Sequence, residues 1–173
     1  ESSETQKAKA QQVAKEQLAW IDGVKDAAIS PFLYVGGEPG HLVAVPLGGP
    51  ANRANHRVML ALVPMGRVEK KLLGEENRED ALGAMLVDAS GTIVSNYNPD
   101  TVGLNVLKDS KDPRTRAMAA KQIEAGTAAT QIFEQGETIG DVQFQPSMVT
   151  IQPVDVLGQK WWLVISSRLS AVD

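Results

Sequence analysis

Apolar residues cluster most regularly in the second half of the chain. The run Leu82 to Asp88 is apolar, and Asp88-Ala89-Ser90-Gly91 breaks it with turn chemistry. An aspartate opening a turn bonds the backbone two residues on, and glycine takes the left-handed conformation that closes it. A second β-rich run follows from Thr92 to Tyr97, so the pair reads as a hairpin. Asn98-Pro99-Asp100 stops it, and Val102-Gly103 lies in a helix-like stretch. Asp112-Pro113 then opens a helix, with the aspartate capping free amides and proline at the first position. Gly126 closes that helix. Three further strands are expected at about Ala128–Gln135, Met148–Val156 and Lys160–Ser167. Gly136 and Leu157-Gly158-Gln159 supply turns.

The first half reads differently. Residues 4–30 carry a broad apolar face of Val13, Ala14, Leu18, Trp20, Ile21, Val24, Ala27 and Ala28, with charges over the rest, and predict a long helix ending before Pro31. Residues 31–51 are dense in Gly and Pro and predict an irregular connection, with room for a short strand at Leu42–Val45. Asn52–Leu62 and Met65–Leu73 read as helical, parted by Pro64. Residues 75–80 form a charged run, read as a solvated face. Helices, two strands, a helix and three strands make an α+β chain.

Composition narrows the function. The chain has 173 residues, enough for a sizeable core in one domain. Its net charge of −4 lacks the basic excess a nucleic-acid binder needs. With no cysteine, thiolate chemistry, disulfides and cysteine-held metals are excluded. No apolar stretch approaches the ~20 residues that span a bilayer.

No GxSxG, P-loop, HExxH or GxGxxG motif occurs. His41 and His56 are the only histidines, and no carboxylate spacing completes a metal set around them. No metal or cofactor is expected. Asp88, Asp100, Asp109, Asp112, Glu134, Asp141 and Asp155 leave a carboxylate-based hydrolase open, although Asp88 and Asp112 already have turn and cap roles. Trp161 and Trp162 point to opposite faces of one strand. They read as core on both sides, or as core with one lining a pocket.

Residues 80–168 resemble the Cache family, the extracytoplasmic relatives of PAS domains. The resemblance rests on the apolar strand, Asp88-x-x-Gly91, the second strand, the polar break and Gly103. It rests also on the closing LGQKWWLVISSRL, where the family has a Gly turn, an aromatic and an apolar strand. It implies a single Cache domain over residues 1–173. The expected parts are an N-terminal helix over 1–30, a connection over 31–80, a PAS-like five-stranded antiparallel sheet over 81–168, and an exit over 169–173 toward a membrane helix. The start at Glu1 without Met reads as a piece of a longer protein with membrane helices on both sides. The implied protein is a periplasmic sensor of an inner-membrane receptor (histidine kinase, chemoreceptor or diguanylate cyclase) that binds a small organic molecule such as a carboxylate. A homodimer through the N-terminal helix is part of that expectation. The alternative within the same family is a ligand-free structural or dimerisation module.

In Cache domains the ligand lies over one sheet face, beneath the segment joining strands two and three. Carried over, this places Tyr97 and Asn98 at the strand-two end, Gln131 and Phe133 on one face of strand three, and Arg114 and Arg116 on the covering segment. An arginine turned inward would clamp a carboxylate through its fork; turned outward it is a solvated helix face. The family's amino-acid motif, a run of Tyr, Arg, Trp and Asp, is absent from that segment, which argues against amino acids.

Overall fold

The computed structural model describes residues 15, 17–35, 38–47, 58–65 and 81–169. The expected elements at residues 4–14, 51–57 and 66–80, and His56, lie outside them. Contacts group the chain into two compact units, Glu1–Met65 and Gly66–Asp173.

In the first unit, helix α1 covers Leu18–Gly23. The chain is extended again at β1, Ala28–Ile29, so residues 24–30 are not helical as the apolar face predicted. Gly23 weakens continuation, and Val24 adopts an extended cap. Pairing then decides: β1 lies against β3, Glu38–Pro46, through Ala28↔Ala44 and Ile29↔Val43. Strand β2, Leu33–Val35, pairs with the other end of β3. The short strand expected at Leu42–Val45 is thus the middle of a longer one.

Residues 58–62 also depart from expectation. They belong to strand β4, Val58–Pro64, which pairs with β3 from Gly40↔Pro64 to Pro46↔Val58. VMLALVP is a short apolar run whose periodicity does not separate helix from strand. Met65, expected to begin a helix, is a buried turn residue whose N–H donates to the Pro39 carbonyl at 3.0 Å. His41 is buried in this unit, with Nδ1 donating to the Ser30 carbonyl at 2.8 Å and its ring edge-on to Phe32.

The second unit follows the sequence pattern closely. Strands β5 (Ala81–Val87) and β6 (Ile93–Asn96) form the expected hairpin. Asp88 is buried at its turn, and one carboxylate oxygen accepts from Ser90 N, Ser90 Oγ and Thr92 N at 2.7–3.0 Å. Gly91 sits at φ +84. After β6 a 3-10 turn, Pro99–Thr101, replaces the helix-like stretch. Helix α2, Pro113–Ala125, is capped by Asp112 accepting from Arg114 N and stopped by left-handed Gly126. Strands β7 (Ala129–Phe133), β8 (Glu137–Ile139), β9 (Val142–Phe144), β10 (Ser147–Val156) and β11 (Gln159–Arg168) complete the unit. The small β8–β9 hairpin was not foreseen.

The main sheet is antiparallel with five strands in the order β6-β5-β11-β10-β7. The last strand in sequence, β11, is therefore central. One face carries the core cluster of Val87, Val149, Trp162 and Val164, joined by Ile93, Val106 and Ile139.

Gly91→Val should expose the hairpin's dependence on its turn. A Cβ at Gly91 meets Leu107 Cγ at 3.0 Å on top of the strained φ. A loss of about 1–3 kcal/mol is expected, read as a lower urea midpoint. An unchanged midpoint would show that the turn carries no such constraint.

Candidate ligand cavity

The sheet register arranges the floor of a cavity. Phe133, Ser147 and Arg168 form one row across the strands, and Gln131, Val149, Ser166 and Gly83 the next. Ile151, Val164, Met85 and Asn96 follow, and then Trp162 and Val87. Because strand residues alternate between faces, all of these share one side. The floor is polar at the Arg168 end and apolar at the Trp162 end.

Helix α2 supplies the roof. Thr115, Met118, Ala119, Gln122 and Ile123 line the cavity from it, a spacing that places them on one helix face. The β8–β9 hairpin adds Glu137, Ile139, Gln143 and Phe144 as a wall. The space between them, open to solvent at one side, is about 570 Å³, within the ordinary range for small-molecule sites.

Glu137 holds wall and roof together. Its Oε1 accepts from Ser110 Oγ at 2.6 Å, and its Oε2 accepts from Thr115 Oγ1 at 2.5 Å. Ser110 and Thr115 are both buried. Ser110 also bridges Ile139, and Lys111 N donates to Thr138 O at 2.8 Å.

At the mouth, the Tyr97 ring lies directly on Gly83. A Cβ on Gly83 would come within 2.1 Å of Tyr97 Cδ1. Tyr97 is half exposed there. Buried Asn96 fixes the chain beneath it, donating from Nδ2 to Thr101 Oγ1 at 2.7 Å.

Three of the six residues chosen from sequence, Tyr97, Gln131 and Phe133, line the cavity. Asn98 does not: its side chain caps the 3-10 turn by accepting from Asp100 N at 3.0 Å. Arg114 is exposed, and Arg116 donates to the Ser110 carbonyl. Neither lines the cavity, so the inward carboxylate clamp is corrected. Both flank Thr115, the residue that α2 turns inward, and so fall off its inner face. Arg168 is the arginine that lines the cavity, at the exposed strand end. Sequence reasoning missed Glu137 and the helix stripe. The stripe was visible as 115, 118, 119, 122 and 123, but the Glu137 contacts span 22 and 27 positions and leave no local signal.

Two residues of the lining each carry a fully buried polar atom that makes no hydrogen bond, Gln131 Oε1 and Trp162 Nε1. Each unmet group costs about 1–3 kcal/mol. Among the described residues no three His, Asp or Glu side chains gather as a metal site needs. No described helix is long and apolar enough to cross a membrane.

No protein-family model and no curated protein matches the chain. Solved structures do. The periplasmic sensory domain of the Campylobacter jejuni chemoreceptor Tlp1 superposes with a TM-score of 0.69 at 13% identity, over 93% of this chain and 57% of that one. The ligand-binding domain of the Pseudomonas aeruginosa amino acid chemoreceptor PctB, in complex with L-Gln, gives 0.58 at 15%, over 92% and 55%. The extracellular domain of the putative histidine kinase mmHK1S-Z3 gives 0.57 at 16%, over 90% and 52%. The chain has the fold of these receptor sensory domains. It spans little more than half the length of each.

Gly83→Ala should unseat Tyr97. A loss of about 1–3 kcal/mol is expected from the contact and from φ +145. Adding Tyr97→Ala should return part of it in a urea double-mutant cycle. Additive losses would mean that the ring does not rest on Gly83.

Proposed function

We propose that this chain is the extracytoplasmic ligand-sensing domain of a transmembrane signal-transduction receptor. The cavity between α2 and the main sheet binds a small organic molecule. The observation that carries this reading is that cavity itself, of about 570 Å³ between one sheet face and α2, in a fold shared with receptor sensory domains. Structures of that fold include the ligand-binding domains of the chemoreceptors PctB in complex with L-Gln and PctC in complex with GABA. The strand order β6-β5-β11-β10-β7 supports the PAS-like assignment.

Signalling follows from the central strand. Trp162, Val164, Ser166 and Arg168 of β11 all face the cavity. A ligand on the floor therefore touches the strand that leads out of the sheet. Its differential affinity for two arrangements of β11 and α2 sets how far it biases them. In the receptor, membrane helices flanking the domain carry this shift, and the N-terminal segment pairs two copies. The domain senses rather than catalyses, and it faces the periplasm.

A thermal-shift screen with small metabolites tests the reading. A ligand at a hundredfold excess over its Kd adds about 2.7 kcal/mol, a shift of several degrees. Ala119→Leu puts three more carbons into the cavity from the roof, over the apolar half of the floor. It should keep the melting point within a few degrees and abolish the ligand's shift. An equal shift in the variant would place binding elsewhere, and a screen without shifts would favour the ligand-free module.

A further inference from the structure

Strand β4, Val58–Pro64, stands at an open edge of the first unit's sheet. The phase of its ladder shows which backbone groups are spare. Met65 N donates to Pro39 O, so pairing with β3 uses the backbone of Met59, Ala61 and Val63. Val58, Leu60 and Leu62 turn their N–H and C=O groups away from β3. Ser30 N donates to Leu42 O at 2.8 Å, which puts β1 on the opposite side of β3 from β4. Among the described residues no strand pairs with the outer side of β4. Met59, Leu60 and Leu62 are 51%, 41% and 39% exposed, so apolar surface lies open on both faces of the strand.

The other edge of this sheet is protected in a way that β4 is not. It is formed by β1 and β2, strands of two and three residues, and short edge strands discourage pairing with other chains. β4 has seven residues, none of them charged, and its proline stands at the last position. An apolar edge of this length, without charge, is a template for a further strand. We infer that β4 is a dimerisation edge, which pairs antiparallel with β4 of a second copy. The spare backbone groups call for a strand as occupant, and the lack of charge calls for an apolar one. β4 itself meets both demands. A register about Leu60 sets Leu60 against itself and Val58 against Leu62, so every spare N–H on each copy finds a carbonyl. A register about Ala61 pairs Leu60 with Leu62 and Val58 with Pro64, and again leaves no N–H unused. A two-fold contact of this kind closes both edges at once, so it stops at a dimer instead of growing into a filament. One strand pair buries less than the roughly 1,200 Å² of a standard interface. The contact is therefore weak between free chains and gains from any tether that holds two copies together. It does not depend on what the cavity binds.

The chain has no cysteine, so a single-cysteine variant carries one thiol. In the register about Ala61, Ala61→Cys meets its own copy in a pair whose Cα atoms stand about 4.5 Å apart, within disulfide reach. In the register about Leu60, Ala61→Cys meets Met59→Cys, and an equal mixture of the two variants cross-links. One of these samples should cross-link under mild oxidation about tenfold faster than Ile132→Cys, because association raises the effective thiol concentration. Ile132 is the fair control, since it is 61% exposed and belongs to the other unit. Adding Leu60→Lys sets like charges across the two-fold. It should return the rate to that of Ile132→Cys with the melting point unchanged, because Leu60 spends no backbone bond on β3. Sedimentation of the unaltered chain at rising concentration should show self-association that Leu60→Lys abolishes. Edge cysteines that cross-link no faster than the control would overturn the inference. A dimer that survives Leu60→Lys would overturn it too, since the two copies would then pair elsewhere. So would a large fall in the melting point of Leu60→Lys, which would show that this edge already packs within the fold.

Discussion

The carboxylate of Glu137 is the contact on which the cavity depends. It takes a hydroxyl from the loop before α2 and another from the first turn of α2. Hydrogen bonds to a charged acceptor contribute about 1.5–3 kcal/mol each, and these two add to the Ser110–Ile139 bridge and the backbone bonds Lys111 N to Thr138 O and Gly140 N to Asp109 O. Together they fix the start of α2 to the β8–β9 hairpin, a separate two-stranded sheet. The helix is thereby held at a distance set by the hairpin. Without that anchor, the apolar stripe of Met118, Ala119 and Ile123 would gain by closing onto Val149, Val164 and Trp162. The cavity is the space this restraint leaves.

Core and cavity consequently share residues. Trp162, Val164, Val149 and Val87 belong to the buried cluster and also line the open space. A site built this way carries a stability cost, since unmet groups and missing contacts both lie in the core. A bound molecule would restore the missing contacts. Filling the floor of a central strand is therefore an efficient way to convert occupancy into a change of β11.

What was legible in the sequence was local. Asp88 and Gly91, Asp112-Pro113, and Gly126 each announce their structure within a few residues, and those elements fall close to their expected bounds. Alternation put Gln131 and Phe133 on one shared face for the same reason, and the family resemblance pointed to that face as the ligand side. The failures are non-local. Ala28 and Ile29 fit a helical stripe until β3 offers them a partner. Val58–Pro64 has no period at all, and only pairing with β3 makes it a strand. Arg114 and Arg116 were chosen for chemistry, but the phase of α2 turns Thr115 inward instead. Glu137 could not be found, because its partners are distant in sequence.

The central claim is an open space between α2 and the sheet, held by the Glu137 anchor. Xenon seeks apolar cavities of this kind. A crystal of the ligand-free domain under xenon pressure measures that space directly. The account predicts xenon density on the apolar half of the floor, beside Trp162 and Val164 and beneath Ala119, with Glu137 still bonded to Ser110 and Thr115. Side chains of α2 packed onto the sheet, with no xenon between them, would contradict it.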